Sequence, residues 1–304
     1  MATSDNYQVS EQTKKLWQIE LELSDVLIDL CNRHDLKIWA CFGTLLGAAR
    51  HKGFIPWDDD MDFVMFREDY DKLMGLINDE KSLQLLPDYS FDTKGVTVIK
   101  LSKNSTTMIN PHRRYGKGYN HGVWIDVFCL DVAPDNITQD IAIFEARKRK
   151  IRMYENITFG YYAMLKNLHY WVGHFGLKLF FMMKSKSQFR KSLEDEFRED
   201  ANRYSGKTVW PFLIWSLPKA IKDVPKYDIE WFDETIMLPF EDRKLPCPAG
   251  WEALLTSQYG DWRTPIIGSS LHEGAEINLD RPYEEVIKER LSKMPFWKRY
   301  AYKH

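Results

Sequence analysis

Residues 41–70 read CFGTLLGAARHKGFIPWDDDMDFVMFREDY, and the order of elements encoded there decides the fold. KIWACF (37–42), which leads into it, is a short apolar run with strand character. Gly43-Thr44 then opens a helix of small residues, LLGAAR, that runs to about Arg50. After the loop HKGFIPW, residues 61–66 (MDFVMF) read as a strand. Side chains alternate across a strand, so Asp60 and Asp62 are expected on the same face, two carboxylates side by side. Residues 67–78 return to helical spacing, with Glu68 and Asp69 in the first turn, where the helix dipole favours negative charge.

Upstream, Leu16, Ile19, Leu23, Val26, Leu27 and Leu30 recur at three- and four-residue spacing, the period of an amphipathic helix, and Ser10 is placed to cap it. Downstream, 96–101 (VTVIKL), 106–109 (TTMI) and 122–130 (GVWIDVFCL) read as strands between polar turns. Asp126 interrupts the last of these between Ile125 and Val127. An unpaired ionised carboxylate is expensive to bury, so something must compensate it. From 141 to about 204 the pattern is mostly helical. Between Arg147 and Lys191 eleven basic residues stand against one acidic residue, Glu155, interleaved with aromatics and Met in NLHYWVGHFGLKLFFMM. The longest uncharged run there has 11 residues, short of the about 20 that a membrane-spanning helix needs. The C-terminal part alternates Pro-rich turns with a short helix at 251–259. The expected organisation is α/β (α+β), a mixed sheet flanked by helices: a catalytic core at 1–135, a helical basic and aromatic insertion at 136–235, and a returning segment at 236–304.

The 304 residues carry 42 basic and 44 acidic side chains, a balance that excludes a general nucleic-acid binder. Cys31, Cys41, Cys129 and Cys247 are scattered with no CxxC pair, which argues against a zinc site or a secreted disulfide framework and for a reducing, cytoplasmic setting. The N-terminal stretch lacks the apolar core of a signal peptide.

Chemistry concentrates in PWDDDMDF. Two unit charges about 4 Å apart repel by about 4 kcal/mol at an effective dielectric near 20, so Asp60 and Asp62, with Asp126 nearby, require a cation or raised pKa values. A divalent metal is the simpler solution, and hard oxygen ligands on a strand suit Mg²⁺ or Mn²⁺. The bland alternatives are a solvated acidic loop and a structural calcium site, although the EF-hand spacing is absent. Gly43 and Thr44, at a strand-to-helix junction, offer backbone N–H groups to an anionic phosphate.

Strand, Gly-Thr, short helix and Asp-x-Asp strand in succession form the organisation of the nucleotidyltransferase fold. In CFGTLLGAARHKGFIPWDDDMDFVMFREDY, GVWIDVFCLD, LPFEDRKLPCPAGWEALLTSQYGDWRTP and LDRPYEEVI the chain resembles the LicD family, whose bacterial members are phosphocholine transferases and whose animal relatives include fukutin and fukutin-related protein. The resemblance covers most of the chain outside roughly 136–235. It implies transfer of a phosphorylated alcohol from a CDP-linked donor, such as CDP-choline, to a sugar hydroxyl of a glycan precursor such as teichoic acid or lipopolysaccharide, with CMP leaving. It further implies that Asp60 and Asp62 are metal ligands and that Asp126 is the third acidic residue, orienting or deprotonating the attacking hydroxyl. Asp58 is expected either on the metal or beside its ligands, whereas Asp59, if the strand already begins there, points to the opposite face and is structural. Arg50 reads either as a donor-phosphate contact or as the ion-pair partner of an acidic residue. Lys100, in an apolar strand, reads as a donor-phosphate contact or a surface lysine. His272 and Glu273 could reach the site and are not assigned as ligands. A quaternary ammonium has no N–H to donate and is recognised by aromatic faces; Tyr115 and Tyr119, in a Gly-containing loop, are expected there, with Trp57 and Trp124 as packing residues. The basic insertion is expected either to lie peripherally on an anionic membrane, where lipid-linked acceptors are found, or to form an ordinary solvated subdomain. A nucleotidyltransferase adding NMP to a small molecule, and a non-catalytic glycan- or calcium-binding module, are the competing functions.

Overall fold

The computed structural model describes residues 7–78, 87–93, 98–109, 120–158, 185–211, 224–268, 272 and 274–295. The first helix, α1 (Glu11–Arg33), starts at Ser10, whose hydroxyl accepts the Thr13 N–H at 3.0 Å; such a cap contributes about 1 kcal/mol. Leu16, Leu23, Leu27 and Leu30 of α1 are buried, while Ile19 and Val26 pack against the core from its margin.

After α1 come β1 (Trp39–Ala40), α2 (Phe42–Arg50), β2 (Asp62–Phe66), α3 (Arg67–Asn78), β3 (Tyr89–Asp92), β4 (Val98–Lys103), β5 (Thr107–Ile109) and β6 (Val123–Val132). The sheet runs β1-β2-β6-β4-β3 and is mixed: β2 and β6 are parallel, and the other pairs along this path are antiparallel. β6 is apolar on both faces except at Asp126 and at Asp131, which is buried and paired with Arg67, and this suits its central position. α1 packs across β6 and β4, and α3 across β2 and β6, so helices flank the sheet as expected.

The strand expected at 37–42 shrinks to Trp39–Ala40. The chain leaves the sheet at Cys41, and Phe42 takes a positive φ of 48° as α2 begins. Such a backbone conformation costs a non-glycine residue about 1–3 kcal/mol and persists where surrounding packing holds it. β3 had no alternating signal of its own. It forms because β4 offers it an edge and because the Tyr89 hydroxyl donates to Glu22 on α1.

Within the span read as a helical insertion, α4 (Ile137–Thr158) and α5 (Lys186–Arg203) are helical, but β7 (Thr208–Pro211) returns to pair with the end of β6, and β8 (Tyr227–Asp228) pairs with β7. Val209, Trp210 and Tyr227 are buried there. An uncovered strand end is a template for further pairing, and these side chains bring the chain back to it. Some of the basic charge in this span is spent internally: Arg147 is buried between α4 and α5, donating to both carboxylate oxygens of Asp200. The stretch NLHYWVGHFGLKLFFMM lies outside the described residues. No described helix is long and apolar enough to cross a membrane. The hairpin β9 (Thr235–Phe240) and β10 (Arg243–Pro248), helix α6 (Trp251–Tyr259), β11 (Glu276–Asn278) paired with β5, and α7 (Tyr283–Ser292) complete the fold.

Candidate active site

The aspartate loop is fastened from three sides. Trp17 on α1 donates its indole N–H to the Asp58 carbonyl at 2.9 Å. Thr44 on α2 is buried, and its hydroxyl accepts the Asp62 N–H at 2.8 Å. The Cys41 N–H donates to the Asp62 carbonyl at 3.0 Å, and the Asp126 N–H to the Met61 carbonyl at 3.0 Å. The last contact continues the parallel β2–β6 pairing, in which Asp62 and Asp126 are register partners on neighbouring strands. Gly43 lets the Asp58 carboxylate lie against α2: a Cβ there would be 2.4 Å from Oδ2 of Asp58 and would push that side chain aside. Thus Gly43 and Thr44 hold the acidic loop itself in this geometry.

Asp58, Asp60 and Asp62 line a cavity of about 330 Å³ together with Gly43, Arg50 and Trp57. Its other wall includes Tyr259 and Trp262 from the C-terminal segment. Arg50 donates to the Trp262 carbonyl at 2.9 Å, so its contact is with that wall. Burial pushes the Asp58 carboxyl up to about 6, and burial together with the Asp58 charge pushes Asp60 up to about 8. Asp62 is held well above the ordinary carboxylate range by burial, then by Asp60 and Asp126. Like charges taken out of water disfavour one another's ionised forms.

The compensation demanded by Asp126 comes from Lys100. The two are register partners across antiparallel β4 and β6, and Lys100 donates to the Asp126 carboxylate. The same ammonium lies 4.5 Å from the centroid of the Trp124 ring, a cation–π contact. The ring of His272 meets that indole edge-on at 5.0 Å.

His272 Nδ1 stands 3.3 Å from Oδ1 of Asp59. Asp59, Asp60 and His272 bring one ligand atom each within 4.8 Å of one another. Asp59, expected to point away, therefore lies with this group: the loop at 58–60 is not yet a strand, and alternation does not govern it. β2 starts only at Asp62. Glu273, Tyr115 and Tyr119 lie outside the described residues. Trp57 lines the cavity, with the rings of Tyr7 and His51 edge-on to it at 5.8 and 6.4 Å.

Glu20 belongs to none of the sequence motifs. It is wholly buried on α1, four residues after Leu16 and three before Leu23. A charged residue inside an apolar helical stripe was the available signal.

Residues 35–164 match the family described as LicD/FKTN/FKRP, nucleotidyltransferase domain. A lipopolysaccharide cholinephosphotransferase, LicD, of Haemophilus influenzae is 27% identical over 261 residues, covering 80% of this chain and 88% of the relative. An uncharacterized protein of Rickettsia prowazekii is 25% identical over 122 residues, 40% of this chain and 42% of that one. Another, of Rickettsia typhi, is 39% identical over 64 residues, 21% of this chain and 19% of that one.

Proposed function

The chain belongs to the LicD family, and from that premise we propose that it transfers phosphocholine, or a closely related phospho-alcohol, from a CDP-linked donor to a sugar hydroxyl of a cell-surface glycan precursor, releasing CMP. The observation that carries this reading is the single cavity that joins Asp58, Asp60 and Asp62 to Arg50 and to the aromatic side chains Trp57, Tyr259 and Trp262. A phosphocholine group needs those partners: charge control at the phosphate and aromatic faces at the quaternary ammonium. Each such face contributes roughly 0.5–2 kcal/mol.

Mg²⁺ or Mn²⁺ fits the donor set. Asp60 and Asp62, raised by burial and mutual repulsion, would be relieved by a hard divalent ion; these two and Asp126 are its ligands in this reading, with Asp59 and His272 adjoining Asp60. Held there, the ion would supply positive charge to the donor diphosphate and so favour the departure of CMP. Arg50 orients the donor phosphate beside the N–H groups at the start of α2. Asp126 accepts the proton of the attacking sugar hydroxyl, and Lys100, paired with it, offsets its charge. The lipopolysaccharide acted on by the Haemophilus relative supports a glycan acceptor here.

The test is a panel of CDP-alcohols incubated with purified protein and Mg²⁺ or Mn²⁺, following CMP with and without candidate glycans. Cation-dependent CMP release from CDP-choline, with phosphocholine appearing on the sugar, is expected. Pyrophosphate release from a nucleoside triphosphate, with no CMP from any donor, would replace the proposal by nucleotidyl transfer. Glycan or calcium binding without turnover would replace it by a binding module. In the same assay Trp57→Leu is expected to weaken CDP-choline more than CDP-ethanolamine, whose ammonium can still donate hydrogen bonds; equal losses would remove Trp57 from head-group recognition.

A further inference from the structure

Both carboxylate oxygens of Glu20 are buried with no hydrogen-bond partner among the described residues, and the residue is 0% exposed. A carboxyl in that condition is costly, because it has given up water and gained nothing in return. Its electrostatic neighbours add to the cost: Asp60, then Asp59, Asp58 and Asp62, all push its pKa upward, after burial. Leu16 and Leu23, its neighbours along the helical stripe, are buried apolar residues, so an apolar side chain at this place would join them without penalty. Trp17, one turn earlier on the same face, is hydrogen-bonded to the Asp58 carbonyl. That bond ties this face of α1 to the aspartate loop, whose four carboxylates act electrostatically on Glu20 one turn further on.

We propose that Glu20 is a carboxylate of the cation site, reaching from α1 to the divalent ion held by the aspartate loop. The inference rests on the reading of that loop as a Mg²⁺ or Mn²⁺ site. It adds a ligand from an element that the Asp-x-Asp motif does not include, and it makes the ion a cross-link between α1 and the loop. Metal binding is then coupled to the packing of the first helix on the sheet.

Mn²⁺ binding to the full-length wild type and to Glu20→Gln, measured by titration calorimetry and by the electron paramagnetic resonance of free Mn²⁺, tests this, with thermal melts in the presence and absence of the ion. Glu20→Gln is expected to melt at or above the wild type without Mn²⁺, since a buried repulsion is gone. It is expected to bind Mn²⁺ at least about tenfold more weakly and to show a smaller Mn²⁺-induced rise in Tm. Wild-type Mn²⁺ affinity in folded Glu20→Gln would overturn the inference and leave Glu20 a neutral acid of the core. Should Glu20→Gln not fold, Glu20→Asp, which keeps the charge but withdraws it by one methylene, is expected to weaken Mn²⁺ binding, and wild-type affinity in that variant would overturn it equally. If the wild type binds no Mn²⁺, the cation reading of the loop fails and takes this inference with it; Mn²⁺ binding by the wild type that Glu20→Gln leaves intact sinks the Glu20 assignment alone.

Discussion

At Asp60, burial and the charge of Asp58 raise the carboxyl to about 8, and at Asp58 burial raises it to about 6. Both lie above the roughly 3.9 of an unfolded aspartate. The folded, cation-free protein therefore binds more protons than the unfolded chain over this window. The stability contributed by these two groups is complete below about pH 4 and is lost as pH rises through 6 and then 8. Tm of the cation-free protein is expected to fall between pH 5 and pH 8.5, and Mn²⁺ is expected to reverse much of that fall while releasing protons to the buffer. A Tm that is flat across this range would contradict it. Asp60→Asn and Asp62→Asn are each expected to lower turnover by orders of magnitude while the fold survives, because these groups hold charge rather than pack. Near-normal CMP release from either purified variant would end their assignment as ligands. The residue types were legible in PWDDDMDF and GVWIDVFCL. Their partners were not: Lys100 is joined to Asp126 only by strand register, and Asp59 to His272 only by the return of the C-terminal segment.

The short helix α2 shows how one element serves both packing and the site. A Cβ on Gly47 would stand 2.4 Å from the Gly53 carbonyl oxygen, a backbone atom that cannot swing aside. Gly47→Ala is expected to destabilise the protein by about 1–3 kcal/mol, the usual cost of overpacking, despite alanine's better helix propensity. Gly75, exposed on α3, meets nothing within 4 Å, and there Gly75→Ala is expected to stabilise by about 1 kcal/mol through propensity alone. Urea unfolding of the two variants reads the opposite signs; a gain from Gly47→Ala would show that the loop does not press on the helix. α1, α3 and α6 were readable because each carries its own 3.6-residue period or turn signals. β3 and β7 were not, since each is short and forms on an edge supplied by a distant strand.

At the scale of the molecule, formal charges nearly cancel, with a net charge of −2, and several basic side chains of α4 and α5 find acids within the fold. Arg147 meets Asp200, Lys150 meets Glu196 and Arg190 meets Glu194. A membrane-facing role for this region rests on the aromatic and basic sequence between those helices. Salt-sensitive flotation of the protein with anionic but not neutral liposomes is the expected outcome; failure to float with either would reject a membrane-facing role. From the sequence alone came the helices with a clear period, the strand–helix–strand order around Gly43-Thr44, the aspartates and the need of Asp126 for a counter-charge. These are written in neighbouring residues, where periodicity and local cost act. Only the tertiary structure decided that Lys100 answers Asp126, that Trp57, Tyr259 and Trp262 share one cavity, and that Glu20 is buried within electrostatic reach of the aspartate loop. Burial and electrostatic coupling are sums over segments far apart in the chain, and the rotation of a helix about its axis is set by what it packs against.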